Sequence, residues 1–277
     1  MEFLSAISEQ SFLCYALVAG LLASIGCGIV GTYVVVRNIG YLAGGIAHAV
    51  LGGMGIAYFL GQPPIGGAII TALLAALLIG WVSMKWQQTE DSLIGALWAV
   101  GMAVGIIFIS KTPGYNADLM SYLFGNILLV SKADLMLMAG LDLVILLCVG
   151  LFYKQFQAVT FDEEFARLRG VHAEFYYLLL LCLVALTVVL LIRVVGLILV
   201  IALLTLPAAI ARQYFGTLFK IMCLAIIVGG ALTISGLAIS YQQDLPSGAT
   251  IILVAGAVFF ISTVVTNFLR TVIARRQ

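Results

Sequence analysis

Charged residues and histidines are scarce in this chain. Only 9% of its 277 residues are Asp, Glu, Lys or Arg, and it contains two histidines, whereas a soluble domain carries about 25% charged residues. No Gly-Lys dipeptide occurs, and therefore no GxxxxGKS/T phosphate loop; HExxH and GxSxG motifs are absent as well. These absences exclude ATP hydrolysis by the P-loop route and disfavour an enzyme that works alone. No run of basic residues suggests a nucleic-acid partner.

Cysteine is present, but its pattern excludes the usual cysteine chemistry. Five cysteines lie apart from one another within apolar segments, and no CxxC spacing occurs. This pattern favours small apolar residues buried between helices over metal ligands or disulfides. The five positions are Cys14, Cys27, Cys148, Cys182 and Cys223.

Long apolar runs dominate what remains. Hydrophobic residues make up 64% of the chain, and runs of about 20 such residues, the length that crosses a bilayer as a helix, recur from end to end. The 29 glycines suit close packing between membrane helices. We therefore predict an all-α polytopic membrane protein, with a single transmembrane domain over residues 1–277 and eight or nine spans.

Hydropathy and turn residues predict where the spans begin and end. Proline and glycine separate neighbouring runs at 61–64, 112–114 and 245–248. The apolar piece 119–130 is too short to cross the bilayer, and we interpret it as re-entrant or interfacial. The predicted spans are 11–36, 42–60, 65–85, 92–110, 134–153, 174–193, 195–211, 219–241 and 249–270.

Positive charge in short loops predicts the orientation of these spans. Basic residues within 270–276 argue for a cytoplasmic C-terminus. Counting back across the spans places the polar stretch 153–172 on the same side. The same count puts Arg37 and the loop 212–220 inside, and the loop around Asp244 outside.

The stretch 153–172, YKQFQAVTFDEEFARLRGVH, carries six charged residues between two apolar spans. Thr160 or Asp162 can cap a short helix that runs to Arg169, with acidic residues at its start and basic residues near its end. Such a helix suits either the bilayer surface or a groove on a partner protein. Its apolar stripe consists of three residues at helical spacing, Phe161, Phe165 and Leu168.

Ionisable residues inside the spans are the first candidates for a functional site. His48 lies well within a span, where such a side chain usually faces protein or a water-filled path. A neutral imidazole is a common ligand for divalent transition metals, but a buried histidine bonded to a carbonyl remains an open alternative. Asp142 lies in the middle of a span, so its carboxyl must be paired, protonated or in contact with water.

Two further residues interrupt the helical pattern. Pro207 removes a backbone hydrogen bond inside a span, either as a plain kink or as a hinge. Asp244 precedes Leu-Pro-Ser at the outer end of a span. Its carboxylate either receives a divalent cation or serves only in the turn.

Six segments, in register along one chain, resemble the permeases of the ABC-3 family, the zinc, manganese and iron importers of bacteria and archaea. The resemblance covers roughly residues 10–272. The segments are VGTYVVVRNIGYLAGGIAHAVLGGMGIAYFLG (30–61), TEDSLIGALWAVGMAVGIIFI (89–109), LMSYLFGNILLVSKADL (119–135), FDEEFARLRGV (161–171), VVGLILVIALLTLPAAIAR (194–212) and SGLAISYQQDLPSGATIIL (235–253).

This resemblance implies the helix bundle of a type II ABC importer in the cytoplasmic (inner) membrane. Two copies of the chain would form a homodimer, with two ATP-binding subunits on the cytoplasmic side and a metal-binding protein outside. The cargo would be a divalent metal ion, zinc or manganese and also iron, moved by alternating access. No permanently bound cofactor is expected. The loop 153–172 would hold the coupling helix that contacts the ATPase.

The resemblance also assigns roles to residues. His48, Asp244 and Asp142 would form the metal pathway, and Gly44 stands where many family members have an aspartate. Pathway-lining or hinge roles would fall to Pro207, Asp118, Ser121 and Asn126. Coupling to the ATPase would involve Phe161, Asp162, Glu163, Glu164, Phe165, Arg167, Leu168 and Arg169.

Two other functions stay open. Without a carboxylate at Gly44, the same scaffold could import a metal chelate or a cofactor. A secondary carrier driven by ions is a different class, in which Asp142 and His48 would relay protons. The elaborate loop 153–172 argues against a carrier.

Overall fold

The computed structural model describes residues 10–85, 90–112, 125 and 127–274. All regular structure within these residues is helical. Eleven helices follow one another: α1 (Ser11–Val36), α2 (Gly40–Phe59), α3 (Pro64–Lys85), α4 (Glu90–Ser110), α5 (Lys132–Leu151), α6 (Tyr153–Phe161), α7 (Glu163–Leu168), α8 (Ala173–Val195), α9 (Leu197–Tyr214), α10 (Leu218–Gln243) and α11 (Ser247–Ala274).

Within the described residues, eight of these helices are long and apolar enough to cross a membrane, and α9 is a further apolar helix of 18 residues. The predicted count of eight or nine spans is therefore confirmed, with boundaries within a few residues. The predicted span 134–153 runs too far, because α5 ends at Leu151 and Tyr153 begins the next helix. Most of the short piece 119–130 lies outside the described residues; its end forms a 3₁₀ turn over Ile127–Leu129.

Glycine allows the spanning helices to approach one another closely. A side chain at Gly31 of α1 would collide with the backbone carbonyl of Leu204 on α9. At the contact of α2 with α4, a side chain at Gly52 would lie 2.9 Å from the carbonyl oxygen of Gly101. Van der Waals packing at this range replaces the hydrophobic effect, which does not drive association between helices in lipid.

Two connections have unusual backbone geometry. Gly196 alone joins α8 to α9, with φ +79°. Asp244 ends α10 in the left-handed conformation, with φ +52°. The start of α5 is conventional, since Ser131 and Asp134 form a reciprocal capping box.

The structure gathers Arg37, the helices α6 and α7, and the last turn of α9 at one end of the bundle. Arg37 bonds to α6, and Arg212 of α9 bonds to the carbonyl of Val35. We call this the inner end and the opposite one the outer end. The grouping agrees with the sidedness predicted from positive charge.

The prediction of buried cysteines is only partly right. Cys27 is buried and Cys148 and Cys182 are half-buried, but Cys14 and Cys223 are exposed, and all five thiols are free. The outward faces of spanning helices are apolar too, because they meet lipid. An apolar neighbourhood in the sequence therefore does not imply burial between helices.

Candidate functional site

The site around His48 is built where α2 and α4 pack together. Small residues on α2 bring the backbone of α4 close, since Cβ atoms at Gly52 and Gly55 would meet the backbone of Gly101 and Gly105. This contact places Trp98 of α4 beside His48. The glycines of α2 and α4 thus determine how close Trp98 lies to His48.

His48 stacks on Trp98. The ring centroids are 3.9 Å apart and the planes differ by 12°. The histidine is half-buried, and its Nδ1 atom is buried without a hydrogen-bond partner in the structure as described. No bond of this nitrogen to a carbonyl is therefore seen, although the alternative interpretation required one. A stacked imidazole with an uncommitted nitrogen is held in one plane and can offer a lone pair to a cation.

Gly44 lies one helical turn before His48 and faces the same ring. A Cβ atom there would be 3.6 Å from Cζ3 of Trp98 and 3.6 Å from Cδ1 of Ile201. Both are ordinary contact distances, so packing does not require glycine at this position. The missing carboxylate is a property of the sequence rather than a demand of the fold.

Asp142 lies elsewhere, on the face of α5 that packs against α1. It is 6% exposed, and its Oδ2 atom has no hydrogen-bond partner among the described residues. A Cβ atom at Gly26 would lie 2.7 Å from Oδ1, so the carboxyl is pressed against the backbone of α1. The sequence left three possibilities for this carboxyl: paired, protonated or in contact with water. No pairing partner is observed for Oδ2 among the described residues.

Asp244 is exposed at the outer end of α10. Its left-handed backbone ends the helix, and its N–H donates to the carbonyl of Ser240. This geometry establishes the turn role; contact with a cation stays a prediction. His48, Asp142 and Asp244 contact different neighbours, and no group of three His, Cys, Asp or Glu residues that could hold a metal occurs within the described ranges.

Pro207 is buried inside α9, which continues past it to Tyr214. A Cβ atom at Gly229 of α10 would contact both the proline ring, at 3.7 Å, and Ser24 of α1, at 3.3 Å. The proline therefore lies where three helices meet, and a hinge stays a prediction. Asp118, Ser121 and Asn126 lie outside the described residues.

The polar stretch 153–172 forms two helices instead of the one that was predicted. Asp162 separates α6 from α7, and its Oδ1 atom accepts from the N–H of Phe165 at 2.8 Å. Asp162 is thus the cap, whereas Thr160 lies inside α6. Within α7, Ala166 is buried, whereas Phe165 and Leu168 are exposed on the other face. The predicted apolar stripe is exposed, with exposed fractions of 60% for Phe161, 50% for Phe165 and 86% for Leu168.

Arg37 holds this stretch to the bundle. Its Nη1 donates to the carbonyl of Val159 at 2.9 Å, and its Nη2 lies 3.4 Å from a carboxylate oxygen of Glu163. The guanidinium also stacks over the ring of Tyr177, 4.4 Å from the centroid. Glu163 in turn pairs with Arg167 at 3.0 Å within α7.

Sequence reasoning missed the roles of Trp98 and Arg37. Trp98 gave one signal, an amphipathic indole ring in the middle of an apolar span. Arg37 was interpreted only as a positive loop charge. Its partners lie more than 120 residues away along the chain, and no local pattern links them.

Comparison with known proteins assigns the family. The model of the ABC 3 transport family matches residues 9–266. An uncharacterized membrane protein of Synechocystis is 46% identical, covering 92% of this chain and 90% of the relative. The manganese transport system membrane protein MntC of Halalkalibacterium halodurans is 38% identical, covering 93% and 88%.

The structure of PsaBC from Streptococcus pneumoniae in complex with Fab has a similar fold. Its TM-score is 0.85 at 34% identity, and the match covers 94% of both chains. The predicted all-α bundle of the ABC-importer type is confirmed. The chain therefore belongs to the ABC 3 transport family, as a multi-pass permease.

Proposed function

We propose that this chain is the membrane subunit of an importer of divalent transition-metal ions, zinc or manganese and also iron. The observation that carries the proposal is His48, whose imidazole is stacked inside a membrane span and leaves Nδ1 without a partner. An imidazole suits zinc and iron, while manganese prefers carboxylate, carbonyl and water. The relatives named for manganese transport support a metal cargo.

A single imidazole without a carboxylate at Gly44 makes a weak site, which suits transport because the ion must be able to leave. The ion would reach His48 from the outer end, where Asp244 is exposed, after delivery by an extracytoplasmic binding protein. Two copies of the chain would enclose the pathway. Alternating access would then release the ion on the cytoplasmic side.

The energy would come from a separate ATP-binding subunit, since this chain has no P-loop. The exposed stripe on α6 and α7 provides an apolar surface for a groove on that subunit, and charged residues surround it. Within this proposal, Phe161, Phe165 and Leu168 are the anchors. Asp162 supports them indirectly, because it caps α7.

Replacement of His48 by alanine tests the proposal. The chain would be reconstituted in proteoliposomes with its ATP-binding subunit and binding protein, and uptake of zinc, manganese and iron would be measured. We expect His48→Ala to reduce uptake by about 10- to 100-fold, the range seen even for partners of metal ligands, with ATP hydrolysis retained. His172→Ala is the matched control, because His172 is the only other histidine and is exposed at the start of α8.

Other outcomes would contradict the proposal. ATP hydrolysis without uptake of any free ion would instead favour the chelate or cofactor importer. Uptake that needs a proton gradient and no ATP would favour the secondary carrier. Equal uptake by His48→Ala and the wild type would remove His48 from the pathway.

A further inference from the structure

The turn between α1 and α2, residues 37–39, lies between two moving parts of the proposed transporter. On one side it contacts α6 and α7, the surface for the ATP-binding subunit. On the other it contacts the last turn of α9, the helix that contains Pro207.

The first contact is made by Arg37. It bonds to a backbone carbonyl of α6, pairs with Glu163 of α7 and stacks on Tyr177 of α8. The Arg37 side chain is only 15% exposed. Three contacts from one planar, shielded guanidinium fix direction as well as distance, which a single exposed ion pair does not.

The second contact is made by Arg212. Its Nη1 donates to the carbonyl of Val35 at 2.7 Å and lies 3.5 Å from the side-chain oxygen of Asn38. The neighbouring residues Gln213 and Tyr214 bond to Thr263 and Ser262 of α11 at 2.9 Å each. The last turn of α9 is therefore tied to the end of α1, directly before the turn 37–39, and to α11.

The turn itself is stiff. Asn38 adopts φ +59°, a left-handed conformation that asparagine tolerates in tight turns. The N–H groups of Arg37 and Ile39 each donate to carbonyls of the last turn of α1, both at 2.9 Å. A displacement applied to Arg37 is thus passed on rather than absorbed by a loose loop.

The same helix α9 reaches the candidate site. Ile201 of α9 lies 3.6 Å from the Cβ position of Gly44, and Thr205 lies 3.8 Å from that of Gly40. Movement of the inner end of α9 would therefore change the packing beside His48. A continuous set of contacts leads from the ATPase surface to the metal pathway.

We propose that the turn 37–39 transmits movement of α6 and α7 to α9, with Arg37 and Arg212 as positioning residues that act in series. Arg37 couples the turn to the ATPase surface, and Arg212 couples the turn to α9. The inference rests on the proposed function only for the presence of an ATP-binding subunit, not for the identity of the cargo.

Hydrogen exchange in the complete complex with its ATP-binding subunit tests this inference. Exchange over 153–168 and over 206–214 would be compared with and without a non-hydrolysable ATP analogue. We expect ATP to change both segments in the wild type. In Arg37→Gln and Arg212→Gln, the change over 153–168 should persist and that over 206–214 should be lost. Because the residues act in series, the double variant should lose no more than either single one.

Two further variants keep the test specific. Lys132→Gln removes one positive charge from the exposed start of α5, outside the surface for the ATP-binding subunit, and its exchange should match the wild type. Arg37→Lys keeps the charge but not the fork geometry, so it should give an intermediate response and stays informative where Arg37→Gln does not assemble. Metal uptake per ATP hydrolysed should follow the response of 206–214 across this series.

Three results would overturn the relay. The first is a wild type in which 153–168 responds to ATP while 206–214 does not, and this leaves the proposed function intact. The second is a full response of 206–214 in both glutamine variants. The third is a double variant whose losses add, as expected for two independent structural defects. If neither segment responds in the wild type, the proposed coupling fails together with the relay.

Discussion

Polar side chains form different kinds of hydrogen bond in the interior of the bundle and at its inner end. In the interior, four buried hydroxyls donate to the carbonyl four residues earlier in their own helix; these belong to Ser24, Thr32, Thr187 and Thr233. At the inner end, Arg37, Arg212 and Gln213 bond across elements. A bond within one helix leaves that helix free to move against its neighbours, whereas a bond across elements makes them move together.

This difference suggests that the interior and the inner end have different mechanical roles. Close packing on glycine holds the interior together, and His48 and Asp142 keep polar atoms without partners there. Such contacts can slide or separate without breaking a hydrogen bond. The inner end keeps its elements in fixed relation and so can pass on a displacement. Three changes, from the largest expected effect to the smallest, test this contrast.

Gly31→Ala should disrupt the packing of α1 against α9 in the interior of the bundle. The new methyl group would collide with the backbone carbonyl of Leu204, which cannot rotate away as a side chain would. We expect a loss of about 3 kcal/mol in the free energy of unfolding, the upper end of the usual cost of overpacking. Unfolding in detergent would measure it.

Gly140→Ala is the matched control for this prediction. No atom lies within 4 Å of the Cβ position of Gly140, and its backbone is helical. The change should stabilise α5 by about 0.5 kcal/mol, because alanine favours a helix over glycine. Equal effects of the two substitutions would show that glycine contacts do not hold the interior.

Gly44→Asp tests whether the site at His48 binds metal ions weakly because it lacks a carboxylate. A carboxylate one turn before His48 would add a second ligand, and the contacts at 3.6 Å leave room for its Cβ atom. We expect divalent ions to bind about tenfold more tightly, a gain of about 1.4 kcal/mol, and uptake to slow because release is hindered. Binding and uptake would be measured on the same preparation.

Gly66→Asp adds the same charge at an exposed position of α3 with open space around it. It should leave both ion binding and uptake unchanged. Tighter binding in this control as well would mean that net charge, and not a second ligand beside His48, had caused the gain.

Glu174→Gln should have the smallest effect and define the limits of the inner-end network. Its pair with Arg167 spans 3.6 Å between side chains that are 65% and 52% exposed. Such pairs contribute less than about 0.5 kcal/mol and are screened by salt. Thermal unfolding at low and high salt would measure the effect, and Glu163→Gln, which removes the shielded partner of Arg37, should cost more. The reverse order would place the main contact at the surface.

The spans could be predicted because each must contain about 20 apolar residues to cross the bilayer. The stripe on α6 and α7 was predictable in part: helical spacing brings Phe165 and Leu168 to one face of α7, whereas the extended residue Asp162 separates Phe161 from them. The choice between Thr160 and Asp162 as the cap was not, because both residues suit that position. The helix boundary between them decided it.

Contacts between distant segments lay beyond the sequence. The stack of His48 on Trp98 depends on how closely α2 and α4 approach, which several glycines set jointly. Arg37 finds its partners only when α6 folds back against α1. The position of Asp142 in the middle of a span indicated that burying its carboxyl costs free energy. The contact of this carboxyl with Gly26 of α1 could not be predicted, because it depends on how α5 packs against α1.

The single-residue connection at Gly196 has a consequence for how the protein is made. The helix α9 runs over 18 residues, within the range of lengths that cross a bilayer. No polar loop separates it from α8, so Arg193 is the one charged residue that must be moved across the membrane at that point. We expect the insertion machinery to receive α8 and α9 as one hairpin, and newly made chains cut short before α9 is complete to leave α8 without a settled position.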